Sequence, residues 1–157
     1  MKKSVTTLFI SAVMLIGTFA WATEKGIEIN DPWVREAPPI APVSAAYMTI
    51  INHDAVARTL TQASSPAFKT VEIHEMAVID GMMKMREQEK LVIAANGQLV
   101  LEPGGYHLML MGRKEGTTLV ADKDNVDLTL KFANGEEMML TVPVRRFTPP
   151  QKMGMGK

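Results

Sequence analysis

Residues 70–88 read TVEIHEMAVIDGMMKMREQ, and the Asp80-Gly81 pair at their centre decides how the segment folds. Asp-Gly between two β-prone runs is a strong signal for a two-residue hairpin turn. A type I′ turn there sets Ile79 opposite Met82 and Met76 opposite Met85. Alternate residues of a strand share a face, so His74, Met76, Met83 and Met85 all point one way. His74 and Met85 then become diagonal cross-strand neighbours, about 7–8 Å apart at the backbone. A three-residue loop would instead put them on opposite faces, because a slip of one residue flips a strand.

Further along, Pro103-Gly104-Gly105 turns the chain into Tyr106-His107-Leu108-Met109-Leu110. Alternation puts His107 and Met109 on one face and the leucines on the other. If this strand lies beside the hairpin, two imidazoles and two or more thioethers converge. Such a donor set is soft and neutral: it suits Cu(I) and poorly suits ions that prefer carboxylate or water oxygens.

The last third of the chain fixes its register by the same logic. Val126, Leu128, Leu130 and Phe132 alternate, as do Met138, Leu140, Val142 and Val144. Placing both rows on one face pairs Leu130 with Met138 and Phe132 with Glu136. The connecting loop is then Ala133-Asn134-Gly135, with Gly135 left-handed in a bulge. Other expected strands cover 27–35 (with Pro32 at an edge or bulge), 45–52, 58–63, 90–94 and 98–102. The last two read as a weak pair joined at Asn96-Gly97, and 36–43 as a proline-rich loop. No stretch carries a helical period over ten residues. Many short strands at this spacing indicate one all-β domain, an antiparallel sandwich or barrel.

The N-terminus supplies an address. Lys2-Lys3, the apolar run Leu8–Ile16 and Ala20-Trp21-Ala22 fit a signal peptide over 1–22, against the competing reading of an uncleaved anchor. No cysteine follows for lipid attachment, so the expected product is exported, soluble and periplasmic, without stable membrane association. The mature domain spans 23–146, and 147–157 form a flexible tail carrying Met153 and Met155. Without Lys2 and Lys3 the 17 basic residues fall to 15 against 17 acidic ones, which gives no reason to expect nucleic acid as a partner. The sequence has no cysteine. That excludes disulfides, zinc-thiolate sites, iron–sulfur clusters and a blue-copper centre.

With these residues assembled, the chain resembles the periplasmic PCu(A)C copper chaperones. Their signature is a histidine, ten residues, a methionine, twenty-one residues, then His-x-Met. His74, Met85 and His107-Leu108-Met109 reproduce it without a gap, and the likeness extends over about Ile27 to Arg146. Trp33-Val34-Arg35, AAYMTIIN (45–52) and LEPGG (101–105) belong to it. The resemblance implies a cupredoxin-like antiparallel β-sandwich whose metal ligands are His74, Met85, His107 and Met109. It implies a monomeric carrier of one Cu(I) that delivers to a copper enzyme such as cytochrome c oxidase, at the binuclear site of its second subunit. Copper buffering without a dedicated client is the alternative, and a metal-free interaction module a third reading.

The remaining candidates are assigned structural roles. His53 is a surface residue, Met48, Met138 and Met139 pack in the core or at an edge, and Met82 packs as well. Glu87, opposite His74, is the candidate second partner of that imidazole. No Gly-x-Ser-x-Gly, phosphate-binding glycine loop or acid pair with a histidine is present, so the chain does not read as an enzyme.

Overall fold

The computed structural model describes residues 26–148. The expected signal peptide and the tail methionines Met153 and Met155 lie outside that range. Ten strands follow one another without a helix among the described residues. They are β1 (Ile27–Arg35), β2 (Val43–Asn52), β3 (Arg58–Ser64), β4 (Phe68–Ile79) and β5 (Met82–Glu87), then β6 (Leu91–Ile93), β7 (Gln98–Leu101), β8 (Tyr106–Arg113), β9 (Asn125–Phe132) and β10 (Glu137–Arg145).

One layer runs β5-β4-β8-β2-β1, with β7 alongside the far half of β2, and the other runs β10-β9-β3-β6. A short parallel pairing of β1 with β10, Val34 to Val144 and Arg35 to Arg145, joins them into a continuous ladder folded over a single core. Neighbours are otherwise antiparallel, except for one parallel pair, Leu101 with Tyr106. Pro32 does sit at a bulge: the β1–β2 register shifts between Asn30 and Trp33, and Asp31 takes a positive φ of 47°.

Register explains which residues are buried. Ile73 pairs with Leu108, Leu108 with Ala46, Ala46 with Val34 and Val34 with Val144. This row crosses both layers and is buried throughout. Phe132, Leu130, Leu128 and Val126 of β9 face it from the second layer, through the register expected for the last hairpin: Leu130 pairs with Met138, and Gly135 takes φ +87°. Each buried leucine contributes about 1.5–3 kcal/mol relative to exposure. One residue further along each strand the side chains must emerge on the outer face. There the row reads His74, His107, Tyr47, Trp33.

The structure corrects two readings of the sequence. Segments 90–94 and 98–102 are not a hairpin: β6 pairs with β3 and β7 with β2, in different layers. Leu91 and Ile93 are drawn into the core, and the fully buried Asn52 holds the crossing point. Its amide donates to the carbonyls of Val56, Ile93 and Ala94, satisfying groups that a three-residue strand cannot pair itself. Met139 and Met82 do not pack, being 86% and 59% exposed. Met139 alternates outward from β10, and Met82 belongs to the edge strand β5, which has no neighbour on its outer side among the described residues.

Candidate metal centre

The Asp80-Gly81 turn forms as the sequence requires, with φ of 54° and 75°, the left-handed pair of a type I′ turn. Met76 therefore faces Met85 and His74 faces Glu87. On its other side β4 pairs with β8, which sets His74 directly opposite His107 and Glu72 opposite Met109. The pairings bring His74, Met85, His107 and Met109 onto one outer face, from three adjacent strands.

Met85, His107 and Met109, together with Met76, line an open cavity of about 620 Å³. His74 does not line it, but its ring lies edge-on against His107 with centroids 5.8 Å apart. Tyr47, Phe147 and Pro38 form part of the remaining wall. Tyr47 approaches His107 at 6.3 Å between ring centroids, Trp33 packs on Tyr47 at 4.5 Å, and Phe147 stacks on Trp33 beneath the Arg35 guanidinium. The packed domain thus reaches Phe147, one residue into the segment expected to be tail. These aromatics come from β1, β2 and the segment after β10, so no local spacing announces them.

Hydrogen bonding settles which ring nitrogens are free. His107 is 4% exposed, and its Nδ1–H donates to the Gly105 carbonyl at 3.1 Å. The same carbonyl accepts the Met76 backbone N–H, so the Pro103-Gly104-Gly105 turn ties β4 and the His107 ring to one point. A carbonyl can only accept, so the proton is on Nδ1 and the lone pair on Nε2. His74 is arranged the other way round. Its Nε2–H donates to a Glu72 carboxylate oxygen at 2.8 Å, and its Nδ1 is buried without a partner among the described residues. Glu72, not Glu87, is the carboxylate that holds this ring. Glu87 is exposed on the edge strand and keeps its hydration, whereas Glu72 is partly desolvated on an interior strand and gains from a donor. Its signal in the sequence was the i−2 spacing that gives it the same face as His74.

Burial, the larger influence, and the nearby His74 hold the His107 imidazole below its ordinary range, with the Gly105 bond opposing them. The neutral ring is favoured, the form a metal needs. Among the described residues no three His, Asp or Glu side chains gather as a metal-holding group. The soft groups this face presents are imidazole nitrogen and thioether sulfur. His53, by contrast, makes a 2.7 Å surface pair with Glu28.

Residues 27–144 match the family model described as “Putative lipoprotein LpqE-like”. The chain belongs to the LpqE-like family. “Putative lipoprotein Lxx21020” of Leifsonia xyli subsp. xyli is 31% identical over 124 residues, 78% of this chain and 72% of that protein. Among solved structures, the solution structure of CuI-DR1885 from Deinococcus radiodurans is 29% identical with a TM-score of 0.61, covering 81% of this chain and 82% of that one. The copper-bound PCuAC domain from PmoF2 gives a TM-score of 0.63 at 20% identity, over 78% of this chain and 96% of the domain. The LpqE-like chain thus has the cupredoxin-like fold of PCuAC domains, the likeness read from its sequence.

Proposed function

We propose that this LpqE-like protein binds one Cu(I) at the outer face of its β4–β5–β8 sheet and passes it to a thiolate-bearing copper enzyme. The observation that carries this reading is the convergence of two imidazoles, each with an unused nitrogen, on the same face as exposed thioethers. His74, Met85, His107 and Met109 are the proposed ligands. Neutral nitrogen and thioether donors match a soft monovalent ion and leave it unneutralised, so an acceptor thiolate gains by replacing them. Support also comes from the Cu(I)-bound state of DR1885 at 29% identity.

Transfer in this scheme proceeds by stepwise exchange. Met85 is 47% exposed on the edge strand and is displaced first, whereas the buried His107, fixed by Gly105, is released last. Val78 and Met83 are 68% and 56% exposed around Met85, and they give the acceptor an apolar surface to approach. The proposed acceptor is the binuclear copper site of the second subunit of cytochrome c oxidase, and the proposed location is the periplasm. Competition of the purified protein with a Cu(I)-specific chelator should reveal one tight equivalent. Met85→Ala and Met109→Ala should each lower its affinity about tenfold or more, since even partners one step removed from a metal commonly contribute 10–100-fold. Unchanged affinity in both variants removes those sulfurs from the site. Copper-free oxidase in a deletion strain, restored by copper supplementation, separates delivery from buffering.

A further inference from the structure

Resting on that copper reading, we propose that the two histidines coordinate through opposite ring nitrogens, His74 through Nδ1 and His107 through Nε2, and that Glu72 is the positioning residue that imposes this on His74. A free imidazole exchanges its proton between the two nitrogens, and in a neutral ring only the unprotonated one carries a lone pair for a metal. Each ring here has one nitrogen committed to an oxygen. For His107 the acceptor is a backbone carbonyl held by a turn, so its tautomer is built into the fold. For His74 the acceptor is a side chain, and Glu72 is two residues away on the same strand and face.

The bond is shielded enough to matter. The His74 side chain is 13% exposed and the Glu72 side chain 29%. The orphaned Nδ1 strengthens the assignment. A buried polar nitrogen with no partner pays its desolvation uncompensated, and among the described residues this one belongs to a ring packed against His107. A soft ion shared with His107 relieves that cost without disturbing the Glu72 bond. A proton on Nδ1 would instead leave a buried donor with no acceptor. Glu72 itself is a poor ligand for Cu(I), because its hard oxygen does not match a soft ion. Its place opposite Met109 nonetheless fixes its carboxylate beside the proposed ligand set.

Long-range proton–nitrogen NMR correlation on the full protein, labelled with ¹⁵N-histidine, reads both tautomers in the apo state and the ligating nitrogens once Cu(I) is added. The expected result is Nε2–H on His74 and Nδ1–H on His107, with copper-induced shifts on His74 Nδ1 and His107 Nε2. Glu72→Ala should release His74 into a mixture of tautomers and weaken Cu(I) about tenfold, within the range for an outer partner of a ligand. Glu72→Gln retains an oxygen acceptor and should restore the Nε2–H form and most of the affinity. A role in sheet stability alone would move neither signal and would show no rescue by glutamine. Coordination of His74 through Nε2, or an unchanged His74 tautomer in Glu72→Ala, overturns this inference while leaving the copper reading intact. No Cu(I) uptake by the unsubstituted protein defeats the copper reading, and this one with it.

Discussion

Two hairpins of this molecule follow one grammar and end in opposite conditions. In β9–β10, Val126, Leu128, Leu130 and Phe132 alternate with polar residues and are almost completely buried. In β4–β5, Val78, Met82, Met83 and Met85 are equally apolar and remain 47–68% exposed. The difference lies in what surrounds each. Strand β9 is paired on both sides, by β10 and β3, and its apolar face meets the other layer. Strand β5 is the edge of the ladder, and β8 accompanies β4 only as far as Glu75, so residues 76–85 project beyond the supported sheet. Apolar residues in the first place hold the fold together. In the second they are surplus to the core, and an exposed cluster of adaptable, polarisable methionines suits contact with a ligand or partner.

The largest effect should come from striking the buried hairpin. Leu130→Ala removes a side chain with no exposure from the centre of the core and should cost about 2–5 kcal/mol by denaturant unfolding. Cu(I) affinity of the remaining folded protein should be unchanged, because β9 contributes nothing to the outer face of β4, β5 and β8. A cost below about 1 kcal/mol would mean that β9 is not packed as described.

The converse experiment moves one sulfur by one residue. Exchanging Lys84 and Met85, so that Lys84→Met accompanies Met85→Lys, preserves composition but transfers the thioether to the opposite face, since Lys84 pairs with Ala77 and Met85 with Met76. Stability should change by less than about 0.5 kcal/mol, as for other exposed substitutions. Chelator competition should show a Cu(I) affinity at least about tenfold lower, matching Met85→Ala. Full retention of affinity would show that the register of the edge strand is irrelevant to binding.

The turns themselves set the two hairpins apart at a smaller scale. Gly81 and Gly135 both have positive φ, of 75° and 87°, and neither has an atom within 4 Å of where a Cβ would stand. Alanine at either position should therefore cost about 1 kcal/mol through backbone strain alone. Only Gly81→Ala, in the hairpin that carries Met85, should also weaken Cu(I) binding. Equal effects on binding would point to a global rather than a local cause.

Both hairpins were legible in the sequence because their determinants are local: Asp80-Gly81 for one, and two alternating rows that must share a face for the other. The face shared by His74, Met85, His107 and Met109 followed from strand parity, although only the family spacing brought β8 beside β4. The separation of β6 from β7 was hidden, because Asn96-Gly97 looks the same whether it closes a hairpin or carries the chain between layers. Asn52, more than forty residues away, decides that question. Glu72 and Glu87 both had the parity to serve His74, and the difference in desolvation between an interior and an edge strand is invisible without the sheet order. The stack of Trp33 with the wall residues Tyr47 and Phe147 depends on contacts between the two ends of the domain.

The smallest effect concerns a buried group on the exposed hairpin's side of the molecule. Burial holds the folded-state pKa of His107 below the ordinary value of 6.5 that it regains on unfolding. Above that value the ring is neutral in both states and contributes no pH dependence. As pH falls below it, the unfolded chain takes up the proton first, so the apo protein loses stability until the folded ring is protonated too. Denaturant midpoints of the apo protein should therefore decline as acidity increases below pH 6.5. Substitution of His107 by glutamine should remove part of that slope. The same sign applies to the metal, because a proton that binds weakly to His107 competes weakly for Nε2. Cu(I) affinity should then persist to lower pH than an unperturbed imidazole would allow, and a steep loss beginning above pH 6.5 would contradict the buried, neutral His107 on which the site depends.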